Sequence, residues 1–289
     1  MQGRIIKQIS NQYTVAIKDK IFTCNARGKF KNMGLSPLVG DMVDINTDTR
    51  TIEKILPRKN ELYRPTVANV DCALIVTSIK KPDLSLSLLD KLITIILAKN
   101  VKPIIVLTKL DLIDNQAKRK LKPIINYYKS LDIPVLTNKN IFKLKRLLKN
   151  QVVVLTGQTG AGKSTLINKF DKSLNVETKP ISDALNRGVH TTRHTEIYKI
   201  GHIYLVDTPG FSALDLKDIS ISDLKNTFKE FNNYSCAYKD CTHDAEKGCG
   251  VKIALENGKI LQTRYQNYLR FLKEVYESSS KLYKYLFKD

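Results

Sequence analysis

The stretch Gln151-Val-Val-Val-Leu-Thr-Gly157-Gln-Thr-Gly160-Ala-Gly162-Lys163-Ser164-Thr165 decides the fold of the central part of this chain. From Gly157 to Ser164 it fits the pattern G-x-x-x-x-G-K-[ST]. A run with strand preference precedes this segment, and residues with helical apolar spacing follow it. Glycines let successive backbone N–H groups wrap around a phosphate, and the following helix directs its positive end at the same point. The sequence therefore predicts a phosphate-binding loop, with a glycine-rich turn that binds no ligand as the alternative.

The residue types of this loop predict individual roles. We expect Lys163 to reach the β- and γ-phosphates and to stabilise the charge of the transition state, and the Ser164 hydroxyl to ligate Mg²⁺. The residues predicted to contact the nucleotide are Gly157, Gln158, Thr159, Gly160, Ala161, Gly162, Lys163, Ser164 and Thr165.

Length and composition favour a multi-domain cytoplasmic protein. The 289 residues are too many for one ordinary core, so two or three domains are expected. Hydrophobic residues make up 42% and charged residues 26%, which is typical of globular proteins. The sequence contains no apolar stretch of the length that spans a membrane, and we expect no membrane partner.

The net charge of +20 arises from 48 basic and 28 acidic residues. It is shared by three segments, with +6 over residues 1–66, +11 over 67–215 and +3 over 216–289. Such an excess favours binding to a polyanion, in particular a nucleic acid that touches several domains. A lysine-rich composition without functional meaning is the alternative.

Residues 1–66 have the pattern of a small β-barrel. Short alternating segments divided by turn residues are typical of an OB-fold, a fold that binds oligonucleotides through strand faces and loops. The basic segment Arg27-Gly-Lys-Phe30-Lys31 lies between two of these strands and is a candidate RNA contact; a solvated hairpin loop is equally compatible with it.

Residues 67–215 alternate between strand and helix patterns. The predicted strands are 72–77, 101–107, 133–137 and 152–155, with helices over 84–99, 115–130 and 141–149 between them and a hairpin around Gly201-His202 after them. This alternation predicts a mostly parallel sheet with helices on both faces. The hairpin ends in Asp207-Thr-Pro-Gly210, where we expect Asp207 to serve the Mg²⁺ ion and the Gly210 N–H to contact the γ-phosphate.

The segment Thr108-Lys109-Leu110-Asp111 follows the strand predicted over residues 101–107. A carboxylate at Asp111 can accept hydrogen bonds from N1–H and the N2 amine of guanine, a donor pair that adenine lacks. This motif predicts GTP as the substrate, and a capping aspartate is the alternative. The motif precedes the phosphate loop, whereas it follows the loop in most GTPases. The sequence thus predicts a circularly permuted domain. Such a permutation preserves the site, because nucleotide binding requires only that the strand ends meet at one edge of the sheet.

The segment from Arg187 to His194 carries the remaining candidates for catalysis. A threonine hydroxyl here is expected to complete the Mg²⁺ coordination, with Thr191 preferred and Thr192 as the second choice. Phe211 occupies the position where many GTPases carry a glutamine that orients water, so intrinsic hydrolysis is expected to be slow. The histidines His190 and His194, or a partner, are the candidates for that role.

Three of the five cysteines cluster in the C-terminal segment, residues 216–289. The spacing Cys236-x₄-Cys241-x-His243-x₅-Cys249 supplies three thiolates and one imidazole, which predicts one closed, structural Zn²⁺ site. The helical stretch from Leu261 to Phe287 is amphipathic and basic, and either packs on the central domain or contacts RNA.

Together these motifs resemble one family, the circularly permuted ribosome small subunit-dependent GTPase A (RsgA) family. The resemblance rests on Arg64-Pro65 with Asn69-Val-Asp71, T-K-L-D at 108–111, G-Q-T-G-A-G-K-S-T at 157–165, R-G-V-H-T-T at 187–192, D-T-P-G-F at 207–211 and the Cys₃His spacing. It implies an N-terminal OB-fold, a permuted P-loop GTPase domain and a C-terminal α-helical zinc-binding domain. It also implies GTP hydrolysis stimulated by the 30S subunit during late maturation of that subunit, and binding to 16S ribosomal RNA; we expect a monomer.

The sequence departs from common GTPase motifs at two positions near the base. Thr108 stands where many GTPases have Asn, and Thr137-Asn138-Lys139 stands where a Ser-Ala motif is expected. Two other functional interpretations remain open from sequence, a structural RNA-binding module with a vestigial nucleotide site and an ATP-using P-loop enzyme.

Overall fold

A computed structural model describes residues 1–28, 30, 34–63, 66–171, 195–207 and 215–286, without the side chains at 63, 207, 218 and 279–286. Within these ranges the strands are β1 (Gln2–Ile9), β2 (Gln12–Ile17), β3 (Lys20–Ala26), β4 (Met42–Asn46), β5 (Thr51–Ile55), β6 (Glu61–Tyr63), β7 (Thr66–Ala68), β8 (Cys72–Ser78), β9 (Lys102–Thr108), β10 (Val135–Thr137), β11 (Val152–Thr156), β12 (Glu196–Ile200) and β13 (Ile203–Asp207). The α-helices are α1 (Leu86–Ala98), α2 (Asn115–Ser130), α3 (Ile141–Leu147), α4 (Lys163–Phe170), α5 (Ile221–Thr227), α6 (Gly250–Glu256) and α7 (Gln262–Leu286).

The N-terminal strands form a closed barrel in the order β1-β2-β3-β5-β4, because β4 also pairs with β1. Alternate residues point inward, and Ile5, Val15 and Val43 are fully buried in its core. At the base of the barrel, Asp41 is 0% exposed and accepts two hydrogen bonds from Arg58, at 2.8 and 2.7 Å. The predicted N-terminal barrel is therefore present.

The central sheet has the order β10-β9-β8-β11-β13-β12. The first five of these strands are parallel and β12 runs antiparallel to β13, which forms the hairpin expected around Gly201. Ala73 and Ile75 of β8 pack with residues of α1 and α2 on one face. Leu74 and Val76 pack with residues of α3 and α4 on the other. Both faces of the sheet are covered by helices, as the alternating pattern predicts.

Because the five parallel strands share one direction, their carboxyl ends lie at one edge of the sheet. These ends are Ser78, Thr108, Thr137, Thr156 and Asp207. The fold thus brings the guanine motif, the phosphate loop and the backbone of Asp207 to the same edge, although they are far apart in the sequence.

The barrel and the central sheet are joined by direct strand pairing. Strand β1 pairs antiparallel with β12 at Lys7 and Glu196, whose side chains form an ion pair of 2.8 Å. The two sheets therefore form one continuous eleven-stranded sheet among the described residues.

The C-terminal residues form a third, mostly helical core in which α5, α6 and α7 surround buried aromatic side chains such as Phe228, Phe231 and Phe271. Residue Ile95 of α1 belongs to the same cluster, so this segment packs on the central domain. No helix in the described ranges combines the length and the apolar character that crossing a membrane requires.

A buried polar network fixes α7 to α1. The guanidinium of Arg264 on α7, which is 1% exposed, donates to Asp90 of α1 and to Glu230, in both cases at 2.8 Å. Burial disfavours the charged guanidinium, but the two carboxylates outweigh this effect and raise the pKa of Arg264 above its ordinary value. Asp90 also accepts hydrogen bonds from Tyr128 of α2 and Asn267 of α7. The charges of this junction are thus paired and hydrogen-bonded, as buried charges must be.

Candidate functional site

The phosphate loop connects β11, whose residues are all buried, to α4, which begins at Lys163. Gly157 has φ +132°, and a Cβ atom there would lie 2.0 Å from the carbonyl oxygen of Val76 in β8. Only glycine permits this close approach of the loop to the neighbouring strand. Gly160 and Gly162 also have positive φ, of +75° and +94°. The glycines of the motif are therefore required by the backbone path.

The ammonium group of Lys163 lies inside the loop. Its Nζ donates to the carbonyl oxygens of Gly157 at 2.8 Å and of Gln158 at 2.7 Å. Burial lowers the pKa of Lys163, because it disfavours the charged form. An anionic phosphate is the natural partner of a half-buried cation surrounded by backbone amides.

Two further polar groups of the loop are buried. Ser164 lies in the first turn of α4 and is 8% exposed. The Oε1 atom of Gln158 is buried and has no hydrogen-bond partner in the described part of the chain. Only a donor or a cation can satisfy this acceptor, because the oxygens of a phosphate cannot donate to it.

The guanine motif is attached directly to the phosphate loop. Thr108, at the end of β9, is 2% exposed, and its Oγ1 donates to the carbonyl oxygen of Ala161 at 2.7 Å. Thr108 stands where many GTPases have Asn; the structure shows that its hydroxyl makes a contact to the loop. Asp111 follows in a 3₁₀ turn, Leu110–Leu112, and its carboxylate is exposed at the same sheet edge. The two motifs that the sequence predicts to cooperate are thus in direct contact.

The loop after β8, residues 79–85, lies between these two motifs. The backbone carbonyl of Lys81 accepts a hydrogen bond from Lys109 Nζ. On its other side the loop approaches the phosphate loop, since a Cβ atom at Gly160 would lie 3.8 Å from Pro82 Cδ. Sequence reasoning missed this segment, although its position after the carboxyl end of a parallel strand is a usable signal.

The segment Thr137-Asn138-Lys139 lies beside the same site. The N–H of Asn138 donates to the carbonyl of Leu107 in β9, and its own carbonyl accepts from Lys169 of α4 at 3.1 Å. This loop therefore contacts both the strand that carries the guanine motif and the helix that follows the phosphate loop.

The remaining predicted nucleotide and magnesium residues are only partly described. The backbone of Asp207 ends β13 and pairs with Glu196, but its side chain lies outside the described residues. The other predicted residues lie wholly outside the described ranges; they are His190, Thr191, Thr192, His194 and Gly210.

The four predicted zinc ligands converge on one point. One donor atom from each of Cys236, Cys241, His243 and Cys249 lies within 4.8 Å of the others. The Sγ atoms of Cys236 and Cys249 are 3.8 Å apart, and each lies 3.5 Å from Nδ1 of His243. Tetrahedral ligands at the usual Zn–S and Zn–N distances place two sulfurs about 3.8 Å apart and a sulfur and a nitrogen about 3.6 Å apart. The donor set therefore fits a four-coordinate Zn²⁺ ion.

Hydrogen bonds from α7 hold the loop that carries these ligands. The hydroxyl of Tyr265 donates to the carbonyl of His243 at 2.6 Å, and that of Tyr268 donates to the carbonyl of Thr242 at 2.7 Å. Glu246 accepts from the N–H and the hydroxyl of Thr242. Although burial opposes its charged form, these hydrogen bonds lower the pKa of Glu246 to about 2. The cluster is thus an integral part of the C-terminal core.

The basic barrel segment at residues 27–31 differs from the expected RNA contact. Phe30 is only 6% exposed and belongs to the barrel core, so its ring is not available for stacking on a base. Arg27 forms an ion pair of 2.8 Å with Glu53, while Lys29 and Lys31 lie outside the described residues.

Comparison with known proteins identifies the family. The family model described as RsgA GTPase matches residues 55–217, and the one described as RsgA N-terminal domain matches residues 2–53. The chain belongs to the RsgA GTPase family. Like the other RsgA proteins, it is a GTP-hydrolysing enzyme built on a circularly permuted GTPase domain.

Curated and solved RsgA relatives match nearly the whole chain. The Small ribosomal subunit biogenesis GTPase RsgA of Bacillus cereus is 41% identical over 286 residues, covering 96% of this chain and 98% of the relative. The protein of the same name from Clostridium perfringens is 42% identical over 281 residues, covering 95% and 98%. The crystal structure of YjeQ from Thermotoga maritima has a TM-score of 0.82 at 34% identity and covers 95% of this chain and 98% of that one. That of YloQ, a circularly permuted GTPase, has a TM-score of 0.82 at 31% identity, with 96% and 95% covered.

Proposed function

We propose that this chain is a late-stage biogenesis factor of the small ribosomal subunit that hydrolyses GTP to GDP and phosphate and is stimulated by the 30S particle. The names of its relatives support the ribosomal role. The observation that supports GTP hydrolysis is the hydrogen bond from Thr108 to the carbonyl of Ala161, because it joins a guanine-type motif to a phosphate loop.

We assign guanine recognition to residues 108–111. The exposed carboxylate of Asp111 accepts from N1–H and the N2 amine of guanine, whereas adenine offers no such donor pair and leaves this acceptor unpaired. The stem of Lys109 packs over the base after its ammonium leaves the carbonyl of Lys81.

Phosphate binding is assigned to residues 157–165, with Gly210 as a further donor. When phosphates enter the loop, Lys163 exchanges its two backbone carbonyl partners for phosphate oxygens and stabilises the negative charge that develops on transfer. Because its ammonium is already held in the loop, this exchange needs little reorganisation.

Ser164, Thr191 and Asp207 are the proposed magnesium residues, and a bound Mg²⁺ would neutralise phosphate charge there. His190 and His194 remain the candidates for orienting water, with Thr192 as the alternative to Thr191.

The Cys₃His cluster is proposed to hold one structural Zn²⁺ ion per chain. Its four protein ligands leave no open position, so the ion stabilises the C-terminal fold and takes no part in hydrolysis. We further propose a monomeric, cytoplasmic protein that contacts 16S ribosomal RNA, with functional divisions at residues 1–66, 67–215 and 216–289.

The decisive experiment compares GTP hydrolysis in the presence and absence of purified 30S subunits. We expect slow turnover alone and a large stimulation by the particle, both abolished in Lys163→Ala. Equal rates with and without the particle would refute the ribosomal stimulation. Failure to bind GTP at all would leave only an RNA-binding module with a vestigial nucleotide site.

A further inference from the structure

One edge of the central domain carries a concentration of positive charge to which none of the site assignments above gives a role. Residues 115–149, called the basic edge below, contain ten basic residues and one acidic residue, Asp132. All ten basic residues are exposed; they are Lys118, Arg119, Lys120, Lys122, Lys129, Lys139, Lys143, Lys145, Arg146 and Lys149. Among the described residues none of them pairs with an acidic side chain.

A lysine-rich composition does not account for this segment. The chain as a whole carries 28 acidic residues among 289, so basic residues elsewhere have acidic neighbours with which to pair. The near absence of acidic residues from 35 consecutive positions leaves the charge uncompensated. Such a surface favours binding of a polyanion, because its cations replace the counterions of the polyanion, which are released into solution.

The two helices of the basic edge frame a groove over the outermost strand of the sheet. A cavity of about 720 Å³ is lined by three cations, Lys129 of α2 and Lys143 and Arg146 of α3, by one carboxylate, Asp132, and by the apolar segment 133–136, so its charged walls are net positive. The cavity is within the size range of sites that bind small molecules or parts of larger ligands. Cations on the walls and an apolar floor suit a ligand that combines phosphates with flat rings.

Helix α3 presents an aromatic side chain within the same surface. Leu144 and Leu148 bury one face of the helix, and Phe142 on the opposite face is 91% exposed. Lys145 and Arg146 follow Phe142 at spacings of three and four residues, which places them on its face of the helix, and Lys149 lies in the turn just after the helix end. An exposed ring among cations is the arrangement that stacks on an unpaired base while the cations hold the flanking phosphates.

The geometry favours RNA over an acidic protein segment. Strand β10 has only three residues and is preceded by Pro134, so it offers little edge for an added peptide strand. The cations of α2 extend from Lys118 to Lys129, about 16 Å along the helix. This length corresponds to several successive phosphates of a nucleic-acid backbone and is greater than the size of a single anionic group.

We propose that the basic edge is an RNA-binding surface that holds a partly unpaired segment, with the backbone on its cations and one base stacked on Phe142. The proposal rests on the proposed function, since a small-subunit factor meets ribosomal RNA. Helix α3 starts just after the loop at 137–139, so Phe142 lies near the nucleotide edge of the sheet. Bound RNA would therefore contact the domain close to its catalytic site.

The test measures the binding of a fluorescein-labelled RNA hairpin with an unpaired loop by fluorescence anisotropy over a salt series. In the full-length triple variant Lys129→Gln, Lys143→Gln, Arg146→Gln we expect Kd to rise by about 10- to 50-fold. The slope of log Kd against log salt should fall by about 2, because about 0.7 counterion is released per phosphate contact on single strands. The variants should retain intrinsic GTP hydrolysis, since none of these side chains is assigned to the binding of nucleotide or magnesium.

The matched control removes the same charge elsewhere through Lys247→Gln, Lys259→Gln, Lys273→Gln, three exposed residues of the C-terminal part. It should raise Kd less than about threefold, as expected for a long-range charge effect alone. Phe142→Ala should raise Kd for the hairpin by about 5- to 30-fold, because one stacked base is lost, and should leave binding of a blunt duplex unchanged.

Each failure has a separate meaning. If the wild-type protein does not bind the hairpin, the proposed contact with ribosomal RNA is wrong. If it binds the hairpin and the two triple variants weaken binding equally, the RNA contact stands and the basic edge is refuted as its site. Displacement of the hairpin by polyglutamate as effectively as by unlabelled RNA would also overturn the proposal, in favour of an acidic protein partner.

Discussion

The hydroxyl of Thr108 is the contact on which the nucleotide site depends, and its removal is a sharp test. Replacement of Thr108 by Val keeps the size and the branching at Cβ, so the strand preference at the end of β9 is retained. Only the hydrogen bond to the carbonyl of Ala161, at 2.7 Å, and the longer contact of 3.4 Å to the carbonyl of Thr77 are lost.

The size of the effect follows from burial. Thr108 is 2% exposed and Ala161 is 0% exposed, so water cannot replace the lost donor. A buried carbonyl left without its partner costs about 1–3 kcal/mol. The nucleotide-free domain should lose stability by that amount. GDP binds the ordered loop, so in the variant part of the binding free energy is used to order it. The Kd for GDP should therefore rise by about 5- to 150-fold.

The assay combines urea unfolding of the nucleotide-free protein with titration of a fluorescent GDP analogue. The matched control is Thr94→Val in α1, because the Oγ1 atom of Thr94 is buried and has no hydrogen-bond partner among the described residues. That change should leave stability unchanged or raise it, because an unsatisfied hydroxyl is removed. If Thr108→Val matches the control in both stability and Kd, the Thr108 bond does not organise the site.

The other predictions concern the base, the metal and the C-terminal junction. Asp111→Asn should shift substrate preference from GTP to xanthosine triphosphate in a competition assay, and an unchanged preference would remove Asp111 from base recognition. Cys241→Ser should reduce bound zinc from about one ion per chain to nearly none by elemental mass spectrometry, whereas full zinc content would contradict the four-ligand site. Arg264→Met should destabilise the protein by about 3–5 kcal/mol in urea unfolding, because the carboxylates of Asp90 and Glu230 stay buried without their cation; wild-type stability would contradict this account.

Features with a local signature could be predicted from the sequence. The helices expected over 84–99, 115–130 and 141–149 are present as Leu86–Ala98, Asn115–Ser130 and Ile141–Leu147, since apolar spacing and turn residues mark them directly. The convergence of the four zinc ligands was predictable for the same reason, because ligand type and spacing within a short segment define such a site.

Features that depend on distant partners were missed. Strand β5 (Thr51–Ile55) carries the charged pair Glu53-Lys54 and is recognisable only through its place in the closed barrel. The buried Arg264 looks like a solvated residue of an amphipathic helix, and only its contact with Asp90, far away in the sequence, shows otherwise. The bond from Thr108 to Ala161 likewise joins residues from two separate motifs. Tertiary contacts decided these cases, and local patterns do not encode them.

The strand order of the permuted domain has a consequence for how the nascent chain matures. The apolar strand β8 is complete at residue 78, but its partner β11 begins only at residue 152. At synthesis rates of about 5–20 residues per second, one edge of β8 stays unpaired for about 4–15 s until β11 has been synthesised. Chaperones that shield hydrophobic nascent segments should therefore matter during this interval.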